Sequence, residues 1–494
     1  MSAIRLKSCV SQPNTRSISC RRRADGDTSF RLCQSPQAEY PRKVGRSSNE
    51  AAKIGDHTHA KTRFSNGGRT MNWDTITEND RSRIRRWQIG MLALALVCEV
   101  FLAADWYAFA AVIPFISETL QLDPAQAGFA QGIFALTYGI GMVVWSHFSR
   151  HMTARMMLLI GLAGTGLGMV LQIYVQSYGQ LVALRLLIGF FDAAIFLGNM
   201  KLVIGWFPQS RRGSIIGLIL AAYSLAITLD FALGIPLTMA FGWRTFFAVL
   251  AGGTLIVALI NCLFARNGPA EIGINGFAWE PPLPRGASIP ISVIFRSKWI
   301  IVGGLGIAAC TFAIAGTATW VVPAFIAVQN MPVESAAVVG TLMGLSQVLF
   351  LVVGGYAADR VGKAFMIKLG TAMALMIAFA FTAAAIYPMP FGWLLVLAGL
   401  SGIAVLGGGA IFALLTEKYA DELATVAVGY AEVLGVAASF VSPWMMGLVI
   451  RASGGSFSEA FMAFAVVEAV FLVILLVLAR ENVARPGVMA VTIN

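Results

Sequence analysis

The sequence predicts an all-α membrane protein, with twelve transmembrane helices arranged as two pseudo-symmetric six-helix bundles. Three observations lead there. Of the 494 residues, 57% are hydrophobic and only 12% are charged, with a mean hydropathy of +0.74; a soluble domain carries about twice that charge fraction. From Ile89 onward, apolar runs of the length a bilayer requires, about 20 residues, recur between short polar turns. The two halves of this apolar body also repeat each other in sequence.

The runs fall at 89–116, 127–147, 156–175, 181–203, 213–239 and 244–265, then at 299–327, 335–357, 364–386, 391–416, 423–449 and 457–479. Residues 1–86 read as a basic, disordered tail, rich in Ser, Arg and Asn and without an apolar run. The first bundle is 87–265, a polar linker with PPLP at its middle is 266–298, the second bundle is 299–480, and 481–494 is a short tail. Arg21, Arg22 and Arg23 precede no apolar stretch, so a secretory signal is excluded.

Charge placement tests the count. Lys and Arg collect in cytoplasmic loops, and an N-terminus inside puts 19 of the 22 in residues 71–494 on that side. Only Arg244 and Arg451 fall outside, and Arg185 lies within a span. Both termini are thus expected in the cytoplasm, in a multi-pass protein of the cell (inner) membrane. The repeat is explicit: Pro114 matches Pro323, Pro124 matches Pro332 and Gly132 matches Gly340, at an offset near 209 residues. Duplicated bundles of this kind hold a small-molecule site at mid-membrane, between two rocking halves.

The composition also excludes. The net charge of +11 resides mostly in residues 1–70, which hold 14 Lys/Arg against 5 Asp/Glu, so the near-neutral body gives no reason to expect nucleic acid. Six cysteines include no CxxC pair and no His-rich partner, so no metal site is expected. No Walker sequence or nucleophile elbow points to an enzyme, and no cofactor is implied.

The run Gly354-Gly355-Tyr356-Ala357-Ala358-Asp359-Arg360-Val361-Gly362-Lys363 resembles the signature between helices 2 and 3 of the major facilitator superfamily, in its second-half copy. The first-half copy, ending at Ser149-Arg150, lacks both the carboxylate and the glycine pair. The resemblance implies a gating role for Gly354, Gly355, Asp359, Arg360, Gly362, Lys363 and Arg150. It covers roughly 87–480. Within the superfamily, RLLIGFFDAAIFLG followed by GWFPQSRRG resembles the organic-anion and anion:cation symporters, with Asp192 where that branch usually has Glu. Residues 71–90, MNWDTITENDRSRIRRWQIG, resemble the short lead-in of a bacterial permease, so Met71 is the expected start; an organellar presequence before it is the alternative.

Ionisable residues inside spans cost about 2.5–3.5 kcal/mol each and mark functional candidates. Arg185, Asp192 and Asn199 are seven apart and share one helical face. The branch precedent implies a proton on Asp192, coupled to Arg185; a self-satisfied Arg–Asp pair is the plainer alternative. Glu99 and Asp105 are six apart, some 240° around a helix, so only one faces a common cavity; Asp105 is the better candidate. Trp106, however, stands where the branch has Arg. Tyr223 and Asp230 share a face of the fifth span, Glu432 is a candidate in the eleventh, and Glu468 in the twelfth is expected to be peripheral. The substrate-binding candidates are therefore Arg185, Asn199, Asp105, Tyr223 and Trp320. The proton-coupling candidates are Asp192, Asp105, Asp230 and Glu432.

Two transport readings follow. One is proton-coupled symport of a small organic acid or similar metabolite by a monomer in the lipid bilayer. The other is proton-coupled efflux of a neutral or cationic compound, favoured by the excess of membrane carboxylates. A non-transporting receptor or assembly factor on the same fold is a third reading.

Overall fold

The computed structural model describes residues 73, 75–277, 279, 297–419 and 421–479. The expectations for residues 1–70, most of the linker and the last tail lie outside the described residues. Among the described residues, twelve helical spans are long and apolar enough to cross a membrane, matching the twelve sequence runs in order.

The first half contains α1 (Glu78–Leu120), α2 (Pro124–Phe148), α3 (Ala154–Gln172), α4 (Tyr178–Trp206), α5 (Gln209–Leu229), α6 (Ile235–Phe241) and α7 (Trp243–Phe264). A π-turn at Asp230–Gly234 joins α5 to α6 within one span. The second half contains α8 (Lys298–Val328), α9 (Val333–Val361), α10 (Lys363–Ala384), α11 (Phe391–Ser401), α12 (Gly408–Lys418), α13 (Asp421–Ala452) and α14 (Phe457–Leu478). Here α11, a 3-10 turn at Gly402–Val405, and α12 make one span.

Local chemistry sets the ends. Thr77, Thr153, Ser177 and Ser456 each cap a helix through a side-chain oxygen. Asp123 and Gln126 form a reciprocal capping box, with Pro124 at the first position of α2. Gly362, at φ +96°, makes the tight turn from α9 into α10 that a side chain would strain.

The first boundary needs correction. Helix α1 begins at Glu78, inside the stretch assigned to the tail. Its charged lead-in hides an apolar stripe: Ile76 and Ile84 are buried with Ile274 of the linker, and Trp73 stacks on Trp279 at 5.5 Å. The beginning of the linker therefore packs as part of the first half.

The halves meet unevenly. At the end opposite the linker, a side chain on Gly128 of α2 would strike the Pro443 carbonyl, and one on Gly447 of α13 would strike the Pro124 carbonyl. The missing Cβ atoms are what let these helices touch. Arg451 closes the same end by an ion pair to Asp123, 3.6 Å apart. On the other seam, Phe231 and Thr228 of the fifth span pack against Gly340 and Gly344 of α9. Nearer the linker, a side chain on Gly217 of α5 or on Gly355 of α9 would meet open space. The halves are sealed at the far end, and a side chain on either of these two glycines nearer the linker would meet no partner.

Candidate functional site

Helix α4 builds the site. Arg185, Asp192, Asn199 and Trp206, each seven residues on, form a line that is fully buried. Three of its four residues bond to α1. Arg185 donates to the carbonyls of Asp105 (3.3 Å) and Trp106 (3.2 Å) on α1. It also donates to the Ala130 carbonyl (3.1 Å) and Gln131 Oε1 (3.0 Å) on α2. Asn199 Nδ2 donates to Glu99 Oε2 at 3.0 Å and to the Ala95 carbonyl at 3.2 Å. Gln88 donates to the Trp206 carbonyl at 2.7 Å.

Arg185 is thus satisfied by backbone and by an amide, with its guanidinium carbon 4.5 Å from the centre of the Phe134 ring and 5.0 Å from that of Phe109. Among the described residues it makes no ion pair with Asp192. The plain Arg–Asp pair weighed from sequence is absent, because the nearer carbonyls of α1 and α2 take the donors. Asp192 instead accepts from Thr165 Oγ1 of α3 at 2.5 Å, and its Oδ2 is buried without a partner among the described residues.

Asp105 is fully buried and accepts from Thr254 Oγ1 of α7, at 3.3 Å to Oδ2. Glu99 and Asp105 do diverge around α1, as their spacing requires: one meets α4, the other α7. Asp230, at the start of the π-turn, is 2% exposed, with Oδ2 unpartnered among the described residues. Arg185 lies within electrostatic reach of Asp105 and Asp192, and Asp230 within reach of Asp105. The first half therefore sets two acids within reach of one cation, with a third acid beside Asp105.

Beside them lies an aromatic group. Tyr223 donates to the Tyr107 hydroxyl at 3.2 Å, and Trp106 packs on Phe134 and Tyr138 at 4.9 and 5.0 Å. Glu432 of α13 is half-buried and within electrostatic reach of Tyr138, so the second half contributes a carboxylate here. Trp320 is placed elsewhere. Its Nε1 donates to the Pro443 carbonyl at 2.9 Å, and its ring lies against Gly128 and Gly447 at the sealed end. A largely apolar cavity of about 280 Å³, lined by Pro114, Pro124, Trp320 and Pro323, sits at that end rather than beside Asp192.

At the linker end, a side chain on Gly354 would strike the Leu406 carbonyl, so α9 touches the break before α12. Asp359 is exposed and makes no ion pair among the described residues; Arg360 lies over the Tyr356 ring at 4.3 Å. Lys363 pairs instead with Glu417 at the end of α12, at 2.6 Å. That pair holds the Glu417 carboxyl below the usual carboxylate range. Arg150 lies in the 3-10 turn Ser149–His151, and its side chain is outside the described set. Glu468 corrects another expectation: it is fully buried, not peripheral, with both oxygens unpartnered among the described residues.

Sequence reasoning missed Gln131, Thr165, Thr254, Tyr107 and Glu417. The first four carry no membrane charge and reveal themselves only by what they touch. Glu417 sits near a helix end where a solvated charge is ordinary.

Residues 95–443 match the Major Facilitator Superfamily, and the chain belongs to it. It is a membrane transporter, not an enzyme. It is 22% identical to the hexuronate transporter of Bacillus subtilis (strain 168) over 383 residues, covering 75% of this chain and 90% of that one. It is 21% identical over 419 residues to a probable galactarate/D-glucarate transporter of Escherichia coli (strain K12), covering 77% and 90%. In fold it is similar to a bacterial homologue of the human lysosomal transporter Spinster in an inward-facing, occupied conformation. The TM-score is 0.63 with 18% identity, covering 82% of this chain and 97% of that one.

Proposed function

We propose that the chain is a proton-coupled symporter of a small organic acid, acting as a monomer in the cell (inner) membrane by alternating access. The observation that carries this is Asp192: a fully buried carboxyl with one hydroxyl partner, one unpartnered oxygen and no fixed counter-ion. Such a group can change protonation when rocking alters its surroundings, whereas a carboxylate locked to Arg185 could not do so cheaply. The hexuronate and galactarate/D-glucarate names of relatives support an acid as substrate.

Lys and Arg concentrate at the linker end, which supports assigning that end and both termini to the cytoplasm. The conformation is then inward-open. The substrate meets the space between the halves at Tyr107, Tyr223, Tyr138 and Gln131, with Asp105, Asp230 and Glu432 as further coupling groups. Asn199 serves Glu99 rather than substrate, and Trp320 serves the far seal. Asp359, Arg360 and Lys363 act when the linker end closes.

Efflux of a neutral or cationic compound is the second reading. It is favoured by the commitment of Arg185 to backbone carbonyls, which leaves carboxylates as the main charges around the site. Uptake into proteoliposomes separates the readings. Wild-type protein should accumulate a hexuronate or aldarate when the outside is acid. Asp192→Asn should abolish that accumulation while keeping substrate exchange measurable. Accumulation by Asp192→Asn equal to wild type would move the proton elsewhere, and accumulation of amines alone would favour efflux.

A further inference from the structure

Helix α4 carries a polar ladder whose rungs bond to α1, except Asp192, which bonds to Thr165 of α3 within electrostatic reach of Glu99. From the far end to the linker end it carries Arg185 on the carbonyls of Asp105 and Trp106, then Asp192, then Asn199 on Glu99, then Gln88 on Trp206. Asp192 and Asn199 are seven residues apart on α4, or about 10.5 Å of rise, and Glu99 meets α4 at the Asn199 level. Gln88 and Glu99, eleven apart, share a face of α1. A carboxyl with 1% exposure is expensive inside a bilayer, and a seam needing only packing would use apolar side chains.

We propose that Glu99, oriented by Asn199, relays the coupled proton between Asp192 and the linker end of the protein. This deepens the symport reading and rests on it. After inward opening, the proton leaves an Asp192 oxygen and passes through water admitted between the helices to the Glu99 carboxylate, which leaves Asp192 ionised. Glu99 then gives that proton to water at the linker end and returns to the carboxylate. The titratable groups around Glu99 are Cys98 on α1, Tyr138 on α2, Asp192 on α4 and Tyr223 on α5. Among these, Asp192 is the only carboxyl, so the acid-to-acid step has one direction along the ladder. Asn199 is a positioning residue: its second bond, to Ala95, fixes the amide that holds Glu99.

A relay differs from the obligatory proton site in what its loss does. Glu99→Gln keeps the shape and the contact to Asn199, but cannot accept a proton. It should slow net pH-driven uptake roughly tenfold or more, while the final accumulation ratio and the rate of substrate exchange stay at wild-type values. Glu99→Asp, which still titrates, should recover part of the lost rate. Equal slowing of exchange and net uptake would mean a structural role and overturn the proposal, as would unchanged net uptake in Glu99→Gln. If Glu99→Gln fails to fold, Asn199→Ala is read by the same split between net uptake and exchange. Wild-type uptake indifferent to the pH gradient would instead defeat the symport reading itself, which separates the two failures.

Discussion

At the residue scale, Arg185 shows how a charge is made tolerable inside a membrane. Its planar fork meets carbonyls from two helices and an amide, between two aromatic faces. Charge-assisted hydrogen bonds of this kind contribute about 1.5–3 kcal/mol each. Arg185→Ala should therefore destabilise the detergent-solubilised protein by about 3 kcal/mol or more, read as a large drop in Tm. Arg185→Lys should recover little, because an ammonium lacks the fork. A variant with wild-type Tm and weakened substrate binding would restore the ligand role read from sequence. The α4 heptad was legible in the sequence because a seven-residue step keeps one face. The partners were not: carbonyls of Ala130 and Trp106 exist at every residue, and only the fold selects them.

At the element scale, the twelve spans were legible because length and hydropathy dictate them, whereas the start of α1 was not. Its stabilising contacts, Ile84 to Ile274 and Trp73 to Trp279, join segments far apart in sequence. The turn from α9 to α10 shows the same limit. Its glycines were readable, but the ion pair at that turn is Lys363 with Glu417, not a pair made by Asp359. Because the folded Glu417 carboxyl titrates below its unfolded value, the pair contributes stability above the unfolded pKa. That contribution is lost as pH falls through the folded value. With the Glu417 side chain 55% exposed, the pair contributes at most about 1 kcal/mol. Glu417→Gln should thus lower stability slightly at neutral pH and match wild type in acid. A gap between the two that persists to pH 3 would rule out this titration as its cause.

At the scale of the whole molecule, glycines set where the halves touch. At the far end the helices approach where a glycine faces a backbone carbonyl, Gly128 against Pro443 and Gly447 against Pro124. A Cβ on Gly128 would lie 2.2 Å from the Pro443 carbonyl oxygen, and that carbonyl belongs to a helix and cannot swing aside. Overpacking of this order costs about 1–3 kcal/mol. The cost falls only on the conformation described here, since opening the far end removes the contact. Each 1.4 kcal/mol shifts a two-state equilibrium about tenfold, so Gly128→Ala should move the population strongly toward the far-open form. Gly355→Ala makes the opposite test: nothing lies within 4 Å of its added methyl now. Its cost should appear only when the linker end closes, holding the protein in the present form. Spin-label distances across each end, measured for both variants, check the pair. Opposite displacements are expected. If both variants shifted the same way, or Gly128→Ala left the far-end distance unchanged, glycine-to-carbonyl contact would not control which side opens.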